Sequence, residues 1–513
     1  MSWRKLSSRS LGASSVLSLA IVAPVVTVLA RTLIGLDWPA GATVAAGAGA
    51  AALIVAGVLA YDVARLRSTR WRLTAERLEL RSGIAVRQHR SIPRDRVRSV
   101  DLRADPVRRV FGLTVVKVGT GEHAGEGTEL TLDPLPRQEA EALRRTLLRA
   151  GAVPLGDEGG AVAELRWAWI RYAPLTVWSF AGGALVLGAL YKLLDAFGVN
   201  LFTTGTASDA WGWVMERPWS AVPLLVAVNV VVGVAGAMLL FAESWGRYRL
   251  EREPGRLRLR RGLLTSRSLT LEERRLRGVE LSEPLLLRLG GGARVKAVAT
   301  GLGKAAENET EDVAALTPPL PRALAEQIAE RVANLGRSDA ATPATDPWQA
   351  GAAGPWRAGL VAHPAAAGRR RVVRALVTVA ALASLAGLPP LLWAWPGGWI
   401  WPATVLAIGF PAGLWLAGDA YRGLGHALGP RHLVTRRGSA VRRTVALDRS
   451  GIVGWTIEQS FFQRRAGLLT LSATTAAGDG HYDVVDVGTG DGLDLAARAV
   501  PGLLEPFLAG EEQ

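Results

Sequence analysis

The chain has 513 residues, of which 49% are hydrophobic and 20% charged, and its formal net charge is +15. Its mean hydropathy of +0.20 is high for so charged a chain, so we expect apolar residues in blocks for lipid and charged residues in blocks for water. The sequence contains no cysteine, which excludes disulfides, thiolate metal sites and a cysteine nucleophile.

The excess of positive charge has two interpretations. Nucleic-acid binding would concentrate it in one stripe or tail, on a fold that suits that task. A membrane protein would instead carry it beside its apolar helices, on the cytoplasmic side. The chain shows the second distribution, so we expect the lipid bilayer and no nucleic acid among its partners.

Six apolar segments have about the ~20 residues that a helix needs to cross a membrane. They are roughly Ala13–Leu36, Ala42–Ala60, Leu175–Leu194, Ala221–Phe241, Leu376–Trp395 and Ile400–Ala417. The segments form three pairs, because the connection within each pair is too short to hold a domain. We therefore predict transmembrane helix pairs within residues 13–62, 172–243 and 374–418.

The charges beside these segments predict their orientation. Cations flank the pairs on one side: Arg4, Lys5, Arg9, Arg65, Arg67, Arg70, Arg72, Arg166, Arg171, Arg247, Arg249, Arg369, Arg370, Arg371 and Arg374. The connections within the pairs carry acidic residues instead, which are Asp37, Asp195, Asp209 and Glu216. The positive-inside rule then predicts a multi-pass protein of the cytoplasmic membrane with both termini and all soluble parts in the cytoplasm. A cleaved signal peptide is a poorer interpretation of the first segment, because a partner helix follows at once.

Three soluble blocks follow the helix pairs, and we predict them as domains at residues 71–150, 245–336 and 421–510, with an Ala/Pro/Gly linker at 338–368. Strands in the first block alternate apolar and polar residues, as half-buried antiparallel strands do. These predicted strands are Arg72–Arg81, Ile84–Ile92, Val97–Leu102, Leu113–Gly119 and Thr128–Leu132. An amphipathic helix over Arg137–Arg149 ends the block, and the second block repeats the order up to a helix at Arg322–Leu335.

The blocks also echo one another in sequence, which predicts an internal repeat. The run Arg96–Leu102 matches Arg275–Leu281, and Pro106–Gly112 matches Pro284–Gly290 in spacing. That alignment sets Leu287 in place of Arg109, whereas Arg464 keeps the arginine in the third block. We expect Gly112 in a turn and Phe111 in the core of the first block.

Several spaced signatures of the first block occur together. They are Trp71–Thr74, Arg81–Ile84, Ile92–Arg94, Val97–Asp101 and Asp105–Leu113. In this order they closely resemble the bacterial membrane-flanked PH domain family, found in YdbS/YdbT-type membrane proteins. The resemblance covers nearly all of the first block, is moderate in the second and is weak in the third. It implies an α+β membrane protein, with six transmembrane helices in three hairpins alternating with three PH-like antiparallel β-barrel domains, each capped by a C-terminal helix. It implies no catalytic residues.

The sequence has no motif with the full spacing of a phosphate-binding, metal-binding or catalytic site. The glycine-rich runs Gly119–Gly127 and Gly301–Lys304 lack the spacing of a phosphate-binding loop, so hairpin turns explain them better. The six histidines show no ligand spacing with carboxylates, and no serine has a nucleophile-elbow context. We therefore expect no enzyme activity, no cofactor and no metal site.

A dense basic cluster is the one candidate binding feature. It consists of Arg94, Arg96, Arg98, Arg103, Arg108 and Arg109. Near a bilayer each cation would contribute about 1 kcal/mol of attraction to anionic headgroups. The alternative is a solvated face whose arginines pair with Asp95, Asp101 and Asp105. Both interpretations stay open on the sequence.

Two classes of function fit this pattern. The first is a membrane scaffold or binding protein whose PH-like domains engage membrane proteins, lipid headgroups or copies of itself. The second is a transporter or channel component, which would need polar groups within the membrane. Asn229 is the only strongly polar residue deep in a segment, and a hydrogen bond between helices explains it more simply. Gly47, Gly49, Gly182, Gly183, Gly233 and Gly236 favour close helix packing.

The orientation yields a direct test. Reporter fusions after Leu147, Leu335 and Glu511 should all report a cytoplasmic location, because every soluble block lies on the cation-rich side. One periplasmic signal at any of the three positions would contradict the predicted topology.

Overall fold

The structure, a computed structural model, describes residues 3–84, 86–97, 99–119, 129–149, 160–176, 212–300, 314–335, 359–392 and 396–504, together with the separate positions 183, 188, 189, 191, 192, 194, 209 and 356. The chain divides into two compact units, Met1–Glu272 and Glu273–Gln513.

The first unit contains five described α-helices and eleven strands. The helices are α1 (Ser10–Gly35), α2 (Ala40–Ser68), α3 (Pro106–Val110), α4 (Arg137–Arg149) and α5 (Pro218–Trp245). The strands are β1 (Arg4–Lys5), β2 (Arg70–Leu73), β3 (Arg77–Ser82), β4 (Gln88–Pro93), β5 (Ser99–Ala104), β6 (Leu113–Gly119), β7 (Glu129–Pro136), β8 (Ala161–Glu164), β9 (Arg249–Glu253), β10 (Arg256–Arg261) and β11 (Ser266–Glu272).

The second unit contains six described α-helices and nine strands. The helices are α6 (Leu285–Leu289), α7 (Arg322–Ala333), α8 (Ala365–Leu392), α9 (Ile400–Arg422), α10 (Phe461–Arg465) and α11 (Thr489–Ala499). The strands are β12 (Leu276–Pro284), β13 (Gly292–Ala299), β14 (Leu320–Pro321), β15 (Gly425–Leu428), β16 (His432–Arg437), β17 (Val441–Asp448), β18 (Ile452–Glu458), β19 (Leu468–Thr475) and β20 (His481–Gly488).

Five of the described helices, α1, α2, α5, α8 and α9, are long and apolar enough to cross a membrane. Only a small part of each apolar stretch is buried within the protein, as lipid-facing helices require. More than half of the third predicted span, Leu175–Leu194, lies outside the described residues. The predicted linker was too long, because α8 already begins at Ala365, where Ala366 and Ala367 pack against the end of α9 at Tyr421.

Two of the predicted glycine contacts between membrane helices are present in the first unit. A Cβ atom at Gly47 of α2 would lie 3.2 Å from the Val26 side chain of α1. Gly183 leaves no room for a Cβ beside the backbone carbonyl of Asn229. Among the described residues, nothing lies within 4 Å of a Cβ atom at Gly49 or Gly236. The described contacts therefore support close packing at Gly47 and Gly183.

The strands of the first unit form two antiparallel sheets. One has the order β1-β2-β3-β4 and the other the order β7-β6-β5-β11-β10-β9-β8. The core of the first block lies between the two sheets and α4, whose Ala140, Leu143 and Leu147 are buried in it as predicted. The antiparallel strands and the terminal helix predicted for this block are confirmed.

The prediction of separate domains is wrong in one respect. Strand β5 belongs to the first block and β11 to the second, yet they pair, with Ala104 opposite Ser266 and Val100 opposite Thr270. We call this pairing the first junction. The two blocks thus contribute strands to one continuous sheet, because the edge strand of one half-sheet supplies hydrogen-bond partners for the other.

The second unit repeats this arrangement. Its sheets have the orders β14-β13-β12-β17-β16-β15 and β18-β19-β20. Strand β12 of the second block pairs with β17 of the third, with Glu283 opposite Arg442 and Gly278 opposite Leu447. We call this pairing the second junction. A separate hydrophobic core joins β16 to β20 with α11, so the divergent third block also has strands closed by a helix.

The structure corrects the alignment of the repeat by one residue. Gly112, Gly291 and Gly467 all have positive φ angles, at 68°, 72° and 65°. Each follows a five-residue helix, α3, α6 or α10. Gly112 is thus in a turn as predicted, but its counterpart is Gly291 and not Gly290. Consequently Arg288, and not Leu287, corresponds to Arg109.

The expected core position of Phe111 is also wrong. Its side chain is half-buried and lies against the first membrane helix, where a Cβ atom at Gly12 would come within 2.6 Å of the ring. Phe111 therefore helps to seat the block on α1 rather than filling the space between its sheets.

Half-buried and buried carboxylates tie the membrane helices to the blocks. In the first unit Asp133 of β7 accepts hydrogen bonds from Arg65 of α2 and Arg108 of α3, each at 3.2 Å. In the second unit the fully buried Asp486 of β20 pairs with Arg370 and Arg371 of α8. Some cations that flank the membrane segments therefore have partners within the protein.

Asp486 gives a test of this anchoring. Asp486→Asn should lower the free energy of unfolding by about 3–5 kcal/mol, because two partly buried arginines would lose their counter-charge. Thermal unfolding of the full chain in detergent measures the change. Asp494→Asn is the control, since Asp494 pairs with Arg498 at the exposed surface and should matter little. Equal effects of the two substitutions would contradict a structural role for the buried pair.

Candidate functional site

The structure assigns protein partners to several arginines of the predicted basic cluster. Arg94 donates hydrogen bonds to the carbonyl oxygens of Ala75 and Thr146, at 2.9 and 2.7 Å. Arg103 pairs with Asp101 at 2.6 Å, and Arg108 pairs with Asp133. The Arg96 side chain and Arg98 lie outside the described residues. Partners within the protein, rather than lipid headgroups, therefore account for Arg94, Arg103 and Arg108.

Arg109 makes a different contact. Its side chain extends from α3 to the loop between β10 and β11. It donates to the carbonyl oxygen of Leu263 at 2.7 Å. In the last turn of α5, Glu243 accepts hydrogen bonds from the backbone amides of Leu264 and Thr265, at 3.0 and 2.7 Å. A membrane helix and the short helix α3 thus hold the same loop.

The second unit builds an equivalent contact from Arg288, the counterpart of Arg109. Arg288 pairs with Asp419 of α9 at 2.7 Å. Asp419 also accepts from the Ser439 hydroxyl at 2.8 Å and pairs with Arg442 at 2.9 Å. In both units a carboxylate near the end of a membrane helix and the arginine of a short helix meet the hairpin of the following block.

A cavity of about 280 Å³ lies beside this loop in the first unit. Its walls come from both blocks that share the seven-stranded sheet. Seven arginines line it, which are Arg109, Arg137, Arg247, Arg249, Arg260, Arg261 and Arg267. Glu141 is the one lining carboxylate among the described residues. The cavity also reaches the end of the membrane helix α5, since Arg247 follows its last residue, Trp245, by two positions.

Little carboxylate charge is left to neutralise these arginines. Glu141 already pairs with Arg144 at 3.2 Å and with Arg258 at 3.6 Å. Arg249 pairs with Glu164 and Glu251. No ion pair with a carboxylate is observed for three of the lining arginines within the described part of the chain: Arg137, Arg247 and Arg260. Cationic side chains therefore outnumber carboxylates in the lining of the cavity.

Two further features suit the binding of an anion. Ser268 is one of the lining residues, and its buried hydroxyl oxygen has no hydrogen-bond partner among the residues that the structure describes. The guanidinium of Arg261 lies 4.5 Å from the centre of the Trp245 ring, which holds it in place without neutralising its charge. Guanidinium groups bind phosphate through paired N–H donors, so the chemistry of this lining fits a phosphate group.

The second junction shows how such a cluster is neutralised internally. Glu283 stands there at the position that Ala104 occupies in the first junction. It is fully buried, 3.4 Å from Arg322, and Arg322 also pairs with Glu326 at 2.9 Å. Burial raises the pKa of Glu283, while Arg322, Arg442 and Arg288 oppose that rise. The first junction has an alanine where the second supplies its own carboxylate.

Sequence reasoning missed most of the cavity. Of the predicted arginines whose side chains the structure describes, only Arg109 lines it, and the other lining arginines come from α4 and from the start of the second block. The signal was the density of arginine between Arg247 and Arg267. It points to a site only once β5 and β11 are known to be neighbours.

The other sequence candidates add no chemistry. The glycine-rich runs lie almost entirely outside the described residues. No group of three histidine or acidic side chains suited to a metal occurs among the residues that the structure describes. His363 and His426 are buried 3.1 Å apart, and burial lowers the pKa of His426 to about 4, which keeps that ring neutral at pH 7.

Membrane-length helices that alternate with repeated antiparallel strands, closed by a helix, define a membrane protein with PH-like repeats. The family described as Bacterial PH domain matches residues 18–151, 196–332 and 374–500, and the chain belongs to this family. The resemblance inferred from the first block is therefore confirmed, and it extends to all three blocks.

One curated relative is the UPF0699 transmembrane protein YdbT of Bacillus subtilis (strain 168). It is 19% identical over 281 residues, which are 51% of this chain and 56% of the relative. The chain thus matches little more than half of the length of that relative. No solved structure matches the chain.

Proposed function

We propose that the chain is a membrane-anchored binding scaffold whose PH-like blocks lie in the cytoplasm and bind a phosphate-bearing anion, supplied by lipid headgroups, in the arginine-lined cavity. The observation that carries this proposal is the set of seven lining arginines with one carboxylate, already shared, among the described residues.

The position of the cavity favours a lipid headgroup as the source of the anion. Arg247 lines it two residues beyond the last residue of α5, and Glu243 in that helix holds the adjacent loop. The end of a membrane-spanning helix lies at the depth of the headgroups, where arginine is attracted to anionic lipids. The volume of about 280 Å³ is at the lower end of small-molecule sites, which suits a headgroup rather than a large ligand.

The scaffold part of the proposal rests on the way the blocks are fixed. Ion pairs of Asp133 and Asp486 join blocks to membrane helices, and the junctions join neighbouring blocks. Within each unit, such contacts favour binding surfaces held in fixed positions over independently moving domains. The function is binding without catalysis, because PH-like family membership brings no catalytic residues.

A transporter is the competing class, and the membrane helices favour it less. Asn229, the predicted polar residue of a span, lies against the backbone of Gly183, as expected for a contact between helices. A substrate path would instead place polar groups towards a water-filled cavity.

The proposal predicts selective lipid binding. Native mass spectrometry of the full chain in detergent should show phosphatidylglycerol bound in preference to phosphatidylcholine. Arg137→Ala together with Arg260→Ala should weaken that binding about 30-fold, since each cation contributes about 1 kcal/mol. Ala104→Glu should also weaken it, because this glutamate would add a carboxylate at the position that Glu283 occupies among the cations of the second junction.

Controls separate the source of the anion and the effect of charge. Inorganic phosphate that competes with the lipid at millimolar concentration would identify a soluble phosphate ligand instead of a headgroup. Arg498→Ala removes one positive charge from the exposed surface and should leave lipid binding unchanged, whereas Arg137→Ala or Arg260→Ala alone should weaken it about fivefold. Equal binding of both lipids, or wild-type binding by all the cavity variants, would contradict the proposal.

A further inference from the structure

Strands β4 and β18 lie at sheet edges, and they occupy the same places in the repeat as the strands that pair at the two junctions. Strands β4, β11 and β17 each follow a hairpin glycine of positive φ, at Gly83, Gly262 or Gly438. Strands β5, β12 and β18 each precede a five-residue helix, α3, α6 or α10. The junctions pair β5 with β11 and β12 with β17. In the described residues β4 pairs only with β3, and β18 only with β19.

The two junctions have the same register. Ala104, which immediately precedes Asp105 at the start of α3, lies opposite Ser266. Glu283, which immediately precedes Pro284 at the start of α6, lies opposite Arg442. Ser266 and Arg442 each stand four residues after their hairpin glycine. The same pairing of strands therefore occurs twice in the protein. Its register can be applied to the edges of β4 and β18.

Apolar side chains on β18 are exposed, which indicates that the edge of this strand lacks a partner strand among the described residues. Ile457 of β18 is 42% exposed, whereas its counterparts Leu102 and Leu281 are 6% and 1% exposed within the junctions. Val453 on the same strand is 64% exposed, and Phe461 and Phe462 directly after it are 64% and 72% exposed. An open edge with apolar side chains is a template for another strand, and proteins normally cover such an edge.

The opposite edge has complementary features. Gln88, His89 and Ser91 of β4 are exposed. The strand is preceded by Arg87 and contains Arg90, whereas the charged residue of β18 is Glu458. Applied to these edges, the register of the junctions sets Glu458 opposite Gln88, between Arg87 and His89, and sets Trp455 opposite Ser91.

We infer that β18 of one copy of this chain pairs in antiparallel fashion with β4 of a second copy, in the register of the two junctions. This contact joins two different surfaces, so each added copy leaves one new edge of each kind. Repetition then produces a ring if the rotation closes and an open row if it does not. The inference is independent of the anion site, since no residue of either edge lines the cavity.

The absence of native cysteine makes a clean test possible. Gln88→Cys and Glu458→Cys are expressed as separate variants, reconstituted together in the same proteoliposomes and oxidised mildly. Directly opposite residues bring their Cβ atoms within reach of a disulfide, so we expect a covalent dimer only in the mixture. A chain that carries both cysteines should give a ladder or a closed multimer.

Two matched variants distinguish crosslinking through this strand pairing from crosslinking by random collisions of chains. Gln88→Cys with Thr456→Cys is the off-register control, since Thr456 lies two residues along the same edge, and it should crosslink at least fivefold less. Ile457→Lys in the Glu458→Cys chain should remove the dimer, because a lysine would face a position that is buried in both junctions. Crosslinking no greater than the off-register control would overturn the inference. So would a dimer that forms from one cysteine variant alone, or crosslinks only to a different membrane protein in native membranes.

Discussion

The pairing of strand edges between successive blocks determines how the rest of the protein is arranged. A half-sheet of three or four strands leaves a row of backbone groups without partners, and here the next block supplies them. The first junction runs from Ala104 to Val100 along β5, and the second runs from Gly278 to Pro284 along β12. Each block is therefore built from strands that belong to different sheets, and a neighbour completes it.

The junction also creates the chemistry of the candidate site. Arginines from two blocks converge because β5 and β11 are adjacent, although they are far apart in the sequence. At the second junction the fully buried Glu283 lies among the equivalent cations. The first junction has an alanine at position 104 where the second has this glutamate, and under the proposed function an external anion supplies the missing negative charge. The repeat within one chain thus offers a comparison between a junction with an internal carboxylate and one without it.

Local sequence patterns predicted the local structure well. Apolar length gave the membrane helices, alternation gave the strands, and the position of Ala140, Leu143 and Leu147 gave the buried face of α4. The spacing between the repeats was predicted wrongly by one residue at Pro284. That proline was aligned with Pro106, but it stands where the first block has Asp105. The pairing of distant edges could not be predicted, since β-propensity and alternation describe a strand but not its neighbour. For the same reason the described part of the predicted arginine cluster overlapped the cavity only at Arg109.

The shared sheet is the claim on which this account depends, and one cysteine pair tests it directly. Arg103 and Arg267 lie opposite each other across the first junction, and the chain has no other cysteine to interfere. Arg103→Cys combined with Arg267→Cys should form an intramolecular disulfide under mild oxidation in the full chain, in detergent and in membranes. Separate domains without a common sheet would leave both thiols free to react with a maleimide, and that result would contradict the account.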